Sequence, residues 1–443
     1  MASELAGRLL KGGAWAAGTR LIGMAATLAL YALLARLLSP AEMGNYFLIM
    51  SIVGVLSTLV LFGMPQVAVR MIASSTASSE QLKKNRDVLF KISLFVLVSS
   101  IMVFLLLLTE IGERIFEFVL NSSVVGNHAV VIGLLVASTA LLSMVAEFFR
   151  GFHDIRMASI LGGVATSIVL VVLLVLLWVA EVTGLANVTL VTLLASACVL
   201  VIAGPLFLPY WKNSTGNKKL SFKCLLNSAW PIAVFNLAVV FSAQGVLWIV
   251  SSSMSEHDVA IYGSVLRIVA MLTITHTLLV AASQSSMAEL FAINDIQRLQ
   301  KLVRAMSSVT FLIGLLAMLF LIVGGKEILG TVFGDFYKAG YELLLIMGGF
   351  YVVGIYFGAT GMLLMMTGHS QSLLWVMVLT IICRFVLAYF LADAYGMIGV
   401  AAAWGLGDLM QNFFAWLLVR KKIRIVSHAD FDFKFIKKSI LNT

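Results

Sequence analysis

Residues 161–179 read LGGVATSIVLVVLLVLLWV, nineteen positions without a charge. A hydrocarbon core about 30 Å thick takes roughly 20 helical residues to cross, and this stretch fills that length. It shows none of the strict alternation, over about 10 residues per strand, that a membrane barrel would need. Working outward, the same pattern recurs near 13–36, 45–71, 90–110, 128–149, 157–180, 188–210, 225–251, 259–284, 306–325, 341–366, 372–393 and 398–419. The 443-residue chain is 61% hydrophobic and 12% charged, with a mean hydropathy of +1.04. A water-soluble core of that size requires far more polar surface. The expectation is an all-α polytopic membrane protein of about twelve transmembrane helices, with no soluble domain.

The basic residues set the orientation. With an even number of spans both termini share one side. Of 30 Lys and Arg, 23 fall on that side, 4 on the other and 3 within spans. The positive-inside rule then puts both termini in the cytoplasm. The net charge of +9 reads as a topology signal, because the basic residues are scattered over many short loops rather than gathered into a nucleic-acid surface. The tail FDFKFIKKSILNT, residues 431–443, mixes aromatic and basic residues and suits the anionic inner leaflet. Cys198, Cys224 and Cys383 are far apart and imply neither a disulfide framework nor a zinc site.

The chain repeats itself. Ser39–Tyr46 reads SPAEMGNY and Ser255–Tyr262 reads SEHDVAIY. Each is a polar turn with Ser at an N-cap and an acidic residue in the first helical turn. Their offset is 216, and Gly151 and Gly368, in later turns, are 217 apart. Two matches at nearly one offset indicate duplicated halves of six spans each, related as parallel repeats about the membrane normal. The organisation expected is an N-terminal bundle at 1–210, a cytoplasmic linker at 211–224, a C-terminal bundle at 225–419 and a basic tail at 420–443. Pro65 and Pro231 fall within or near the start of spans, where each is expected to bend the helix.

Few ionisable residues lie inside the spans, and these are the informative ones. Arg384 and Asp408 are each 12 residues from Gly396, so a hairpin turning there puts them at equal depth. They read as a structural ion pair or as a coupling site. Arg20 and Arg267 lie in opposite halves with no evident acidic mate, and together suit a phosphate or pyrophosphate headgroup; snorkelling to an interface is the other reading, above all for Arg20. His276, among Thr273, Thr275 and Thr277, reads as a neutral interior histidine or as a group that is protonated during transport. Asn236 and Gln244 suit sugar hydroxyls or interhelical hydrogen bonds.

The first hairpin, TRLIGMAATLALYALLARLLSPAEMGNYFL, resembles the opening of Wzx-type polysaccharide flippases in the MATE-like exporter superfamily. So do FGDFYKAGYELLLIMGGF (333–350), GMLLMMTGH (361–369) and YGMIGVAAAWGLGDLMQNFFAWLLVRKKI before the tail. The resemblance covers nearly the whole chain. It implies a MATE-like fold and a flippase that moves a polyprenyl-pyrophosphate-linked oligosaccharide to the outer leaflet of a bacterial inner membrane by alternating access. The related peptidoglycan-precursor flippases carry cavity arginines in contexts similar to Arg20 and Arg267. They also carry two further C-terminal spans, which points this chain toward the O-antigen or exopolysaccharide branch. Implied partners are the lipid-linked oligosaccharide, membrane lipids, and polysaccharide polymerase and assembly proteins. No cofactor is expected, and with no GxxxxGK[ST] sequence the driving force expected is an ion gradient or the membrane potential. A multidrug antiporter of the same superfamily is one alternative, though it would favour acidic residues in its cleft. A membrane polymerase or ligase is another, but the outer loop at 111–127 holds no pair of catalytic carboxylates.

Overall fold

A computed structural model describes residues 18, 22–76, 86–120, 124–213 and 221–430. Among these, regular structure is helical throughout. Ten helices are long and apolar enough to cross a membrane, and a shorter apolar helix, α1 (Ile22–Leu37), precedes them. The last of the ten, α15 (Ser370–Lys422), departs from helical geometry at Gly396 (φ 57°, ψ −141°). The Lys422 ammonium donates to Ser372 Oγ at 2.6 Å, which requires the two legs of α15 to run back along each other. Counting that hairpin as two crossings and α1 as one gives the twelve expected.

The chain forms two compact units, Met1–Gln244 and Gly245–Thr443. The seam falls inside α10 (Phe222–Ser253); of the linker expected at 211–224, residues 214–220 lie outside the described residues.

In the first unit α2 (Pro40–Leu61) opens on Ser39 with a capping box, the Ser39 hydroxyl receiving the Glu42 N–H and Glu42 returning to the Ser39 N–H. Such reciprocal bonds satisfy two of the donors that every helix start leaves open. α2 ends at a left-handed pair, Phe62 (φ 45°) and Gly63 (φ 70°), and α3 (Met64–Thr76) begins. Pro65 therefore sits in a first turn, where its missing N–H costs nothing. Gly63 is required here: a Cβ would stand 2.6 Å from the Ala229 carbonyl and 2.9 Å from the Ala233 nitrogen of α10. Pro231, by contrast, is absorbed within the continuous α10.

Next come α4 (Arg86–Leu107), α5 (Glu110–Leu120), α6 (Val124–Gly151), α7 (Ile155–Ser159), a π-helical turn at Ile160–Val164, α8 (Ala165–Val179) and α9 (Leu185–Asn213). The opening stretch of the sequence is thus one crossing with a kink at Gly163 (φ 138°), a conformation open to glycine alone. α6 is the hub, packing on α2, α3, α4 and α9. Its polar cross-links are hydroxyl pairs: Ser57 with Thr139 at 2.7 Å and Ser138 with Ser196 at 2.8 Å.

The second unit starts from the latter half of α10. α11 (Glu256–Ala292) opens with the matching capping box, Ser255 with Asp258. α12 (Ile296–Phe333), a 3-10 turn at Asp335–Gly340, α13 (Tyr341–Tyr356), α14 (Thr360–Met366) and α15 complete it. Here α13 is the hub, packing on α11, α12 and α15. The span expected at 341–366 is broken at Phe357–Ala359, where Gly358 takes φ 87°.

Candidate functional site: polar residues within the spans

The hairpin at Gly396 brings Arg384 and Asp408 together. Arg384 Nη2 lies 4.0 Å from Asp408 Oδ1, with the arginine side chain 3% exposed and the aspartate 26%. Gly407 makes room for the guanidinium, because a Cβ there would collide with Arg384 Nε. The Arg384 guanidinium also lies over the Trp404 ring, 5.8 Å from its centroid. The other aspartate oxygen, Oδ2, accepts from Asn412 Nδ2 at 3.2 Å, one turn further along the helix. Gly354 of α13 presents bare backbone to this carboxylate: a Cβ there would lie 3.1 Å from Oδ2. The hydroxyl of Tyr262 is in electrostatic reach of Arg384, and that of Tyr351 in reach of Asp408. Neither hydroxyl has a hydrogen-bond partner among the described residues.

Chemically this is a charge pair largely removed from water, with hydroxyl, amide and indole groups beside it. Low dielectric strengthens the attraction but imposes a desolvation cost. The arginine holds one leg of the hairpin to the carboxylate on the other. Asp408 is the member whose charge a single proton can remove. Sequence reading identified the pair from its symmetric distance to Gly396. It missed Tyr262, Tyr351 and Trp404, which are uncharged and indistinguishable from core aromatics; Asn412 was legible from its four-residue spacing to Asp408.

The other expected residues are distributed differently. Arg267 and His276 are both half-buried on α11. Nine positions are two and a half turns of helix, so they point to opposite sides of it. The Thr273 and Thr277 hydroxyls bond back to carbonyls of α11, Ala270 at 2.7 Å and Thr273 at 2.8 Å. His276 Nδ1 has no hydrogen-bond partner among the described residues. Asn236 and Gln244 are half-buried on the first-unit part of α10. Arg20 lies outside the described residues, as does the tail 431–443. Among the described residues no group of three His, Cys, Asp or Glu is placed to hold a metal.

This all-helical arrangement is similar in fold to solved transporters of the MOP superfamily. An inward-facing multidrug-resistance MATE family transporter of that superfamily matches with a TM-score of 0.77 at 15% identity, over 91% of this chain and 94% of the other. A MOP superfamily transporter from Pyrococcus furiosus, described as having a binding pocket of reversed polarity, matches with a TM-score of 0.66 at 16% identity, over 94% and 96%. A point mutant of a Vibrio cholerae MATE transporter matches with a TM-score of 0.65 at 16% identity, over 95% and 98%. No curated protein matches in sequence. The model of the polysaccharide biosynthesis protein family matches residues 9–288, and the chain belongs to that family. Family and fold are those of transporters and flippases, not enzymes.

Proposed function

We propose that this protein is a flippase that carries a polyprenyl-pyrophosphate-linked oligosaccharide from the cytoplasmic to the outer leaflet of a bacterial inner membrane, with both termini in the cytoplasm. The observation that carries this reading is the polysaccharide biosynthesis family match over residues 9–288 on a chain with a transporter fold. The chemistry of the intramembrane residues supports it. The forked guanidinium donors of Arg20 and Arg267 suit a pyrophosphate, while Asn236 and Gln244 suit sugar hydroxyls. Moving a charged, hydroxyl-rich head through hydrocarbon is the barrier, and a hydrated cationic path lowers it. The polyprenyl tail stays in lipid. Rocking of two six-helix halves, 1–210 and 225–419, would give alternating access. An ion gradient or the membrane potential drives the cycle, with Asp408, paired to Arg384, and His276 as the coupling groups. Polymerase and assembly proteins would take the product on the far side.

Deleting the gene and analysing extracted polyprenyl-linked lipids by mass spectrometry tests this. Accumulation of a complete lipid-linked oligosaccharide with loss of surface polysaccharide is the expected result. An unchanged lipid pool with new sensitivity to cationic drugs overturns it in favour of a multidrug antiporter. Arg267→Ala should abolish export while leaving the protein in the membrane; normal export by that variant removes Arg267 from the substrate path.

A further inference from the structure

The segment after α15, residues 423–430, is a strap seated against the second unit; it leaves the helix through Ile423 and a left-handed Arg424 (φ 61°). Its burial alternates with the period of an extended chain: Ile423, Ile425, Ser427 and Ala429 are buried, whereas Arg424 is exposed and Val426, His428 and Asp430 are half-buried. The strap lies along the break between α13 and α14. A helix end leaves its last carbonyls without donors, and in a membrane protein such groups must be satisfied from within the protein. The strap supplies two of these donors. Ala429 N–H reaches the Tyr356 carbonyl at 2.9 Å, and the Ser427 hydroxyl reaches the Phe357 carbonyl at 3.0 Å.

Its other face is bonded to the start of α12. The Val426 N–H donates to Gln300 Oε1 at 2.9 Å, the Ser307 hydroxyl to the Ser427 carbonyl at 2.7 Å, and the Asp430 N–H to Ser308 Oγ at 2.7 Å. Arg304 pairs with Asp430 at 2.6 Å, each side chain about a quarter exposed. The His428 ring stacks on Tyr356 with centroids 5.5 Å apart and planes at 12°. Gly358, at the break, has no room for a side chain: a Cβ would collide with Ser307 Oγ and stand 2.6 Å from the Ser427 carbonyl.

We propose that residues 423–430 are a releasable clasp that fixes the end of α13, at the break before α14, to the start of α12, and that must open when this end of the second unit changes conformation. Its composition separates it from a static core element. The strap buries only two large apolar side chains, Ile423 and Ile425; its grip on α12 is made of hydrogen bonds and one partly exposed ion pair. Polar contacts of that kind can be exchanged for bonds to water when the strap lifts, which the close-packed apolar contacts of α13 cannot. The inference is independent of which substrate is carried.

Two measurements on the full-length protein test it. In lipid nanodiscs, spin labels at Lys301→Cys and Ser370→Cys, both exposed positions at this end of α12 and α15, report the distance across the clasp; Cys198, Cys224 and Cys383 are first replaced by Ala. Ending the chain after Lys422 should add a second population displaced by about one helical turn, roughly 5 Å. Ser427→Ala with Asp430→Asn, which keeps the chain intact, should do the same to a lesser degree and serves if the truncation does not fold. Unchanged distance distributions in the folded variants overturn the clasp. Separately, Ser308→Cys with Asp430→Cys, joined by a short thiol cross-linker, locks the strap. Surface polysaccharide export should stop on cross-linking and return on reduction. Export at the uncross-linked rate with the link in place overturns release. If the flippase reading fails, the nanodisc distances still decide the clasp.

Discussion

α6 in the first unit and α13–α14 in the second occupy the same place in their halves, and each is the helix on which its unit is packed. α6 runs unbroken from Val124 to Gly151, 28 residues. Its counterpart stops at Tyr356 and resumes at Thr360. The 217-residue offset between Gly151 and Gly368 puts Leu141, in the middle of α6, opposite Gly358 (358 − 217 = 141). A leucine there continues the helix, whereas a glycine permits the left-handed step that ends it. The unbroken hub satisfies its own backbone, and its unit is cross-linked by neutral hydroxyl pairs. The broken hub takes donors from the chain's own last segment, and beside it lies a buried charge pair. The two halves share a plan but differ in what their stability depends on.

The comparison breaks most sharply at Arg384. Arg384→Ala leaves Asp408 without its counter-charge and should cost roughly 3 kcal/mol, read as lost thermal stability in detergent. The double variant with Asp408→Ala should recover much of it; a double variant as damaged as the single would mean the arginine acts through packing on Trp404 instead. Next is Gly358→Ala, which combines left-handed strain of about 1–2 kcal/mol with a collision against Ser307 and Ser427. The total expected is about 3 kcal/mol. Gly151→Ala in α6 is the control: Gly151 is helical, and its Cβ would press on Ile72, whose own Cβ is 3.1 Å away, with no left-handed strain, so a loss clearly smaller than at Gly358, about 1 kcal/mol, is expected. Equal losses at the two glycines would erase the distinction between the hubs. Smaller still is Ser138→Ala, which removes one hydroxyl pair with Ser196 and should cost about 0.6 kcal/mol.

An effect of similar size sharpens the likeness instead. Both halves open on a capping box, but Glu42 is one methylene longer than Asp258. Its second oxygen, Oε1, takes the Leu185 N–H at the start of α9 at 3.1 Å. Glu42→Asp should keep the box and lose only that tie, a destabilisation of about 0.5–1 kcal/mol with no counterpart to lose in the second unit.

Much of this was legible in the residues. Apolar length alone set the number of crossings, because a bilayer leaves a helix few choices. Ser39 and Ser255 marked two helix starts, because a cap is a local bond between neighbours. Gly396 with Arg384 and Asp408 at equal distance located the last hairpin, because equal spacing from a turn means equal depth. The break at Gly358 was not legible: thirty-five glycines punctuate this chain, and most sit in uninterrupted helix. Nor was the strap, since IRIVSHAD carries no regular period beyond that of an ordinary loop.

The sequence by itself thus determined what is local or imposed by the solvent: helices, their count and their caps. Only the tertiary structure decided what surrounds the intramembrane polar groups. It decided that Tyr262, Tyr351 and Trp404 stand beside the Arg384–Asp408 pair, and that the carbonyls freed at Phe357 are satisfied by a segment 70 residues later. The physical reason is that a backbone group stranded in a bundle accepts any donor within reach, and reach is a property of the packed chain rather than of the order of its residues.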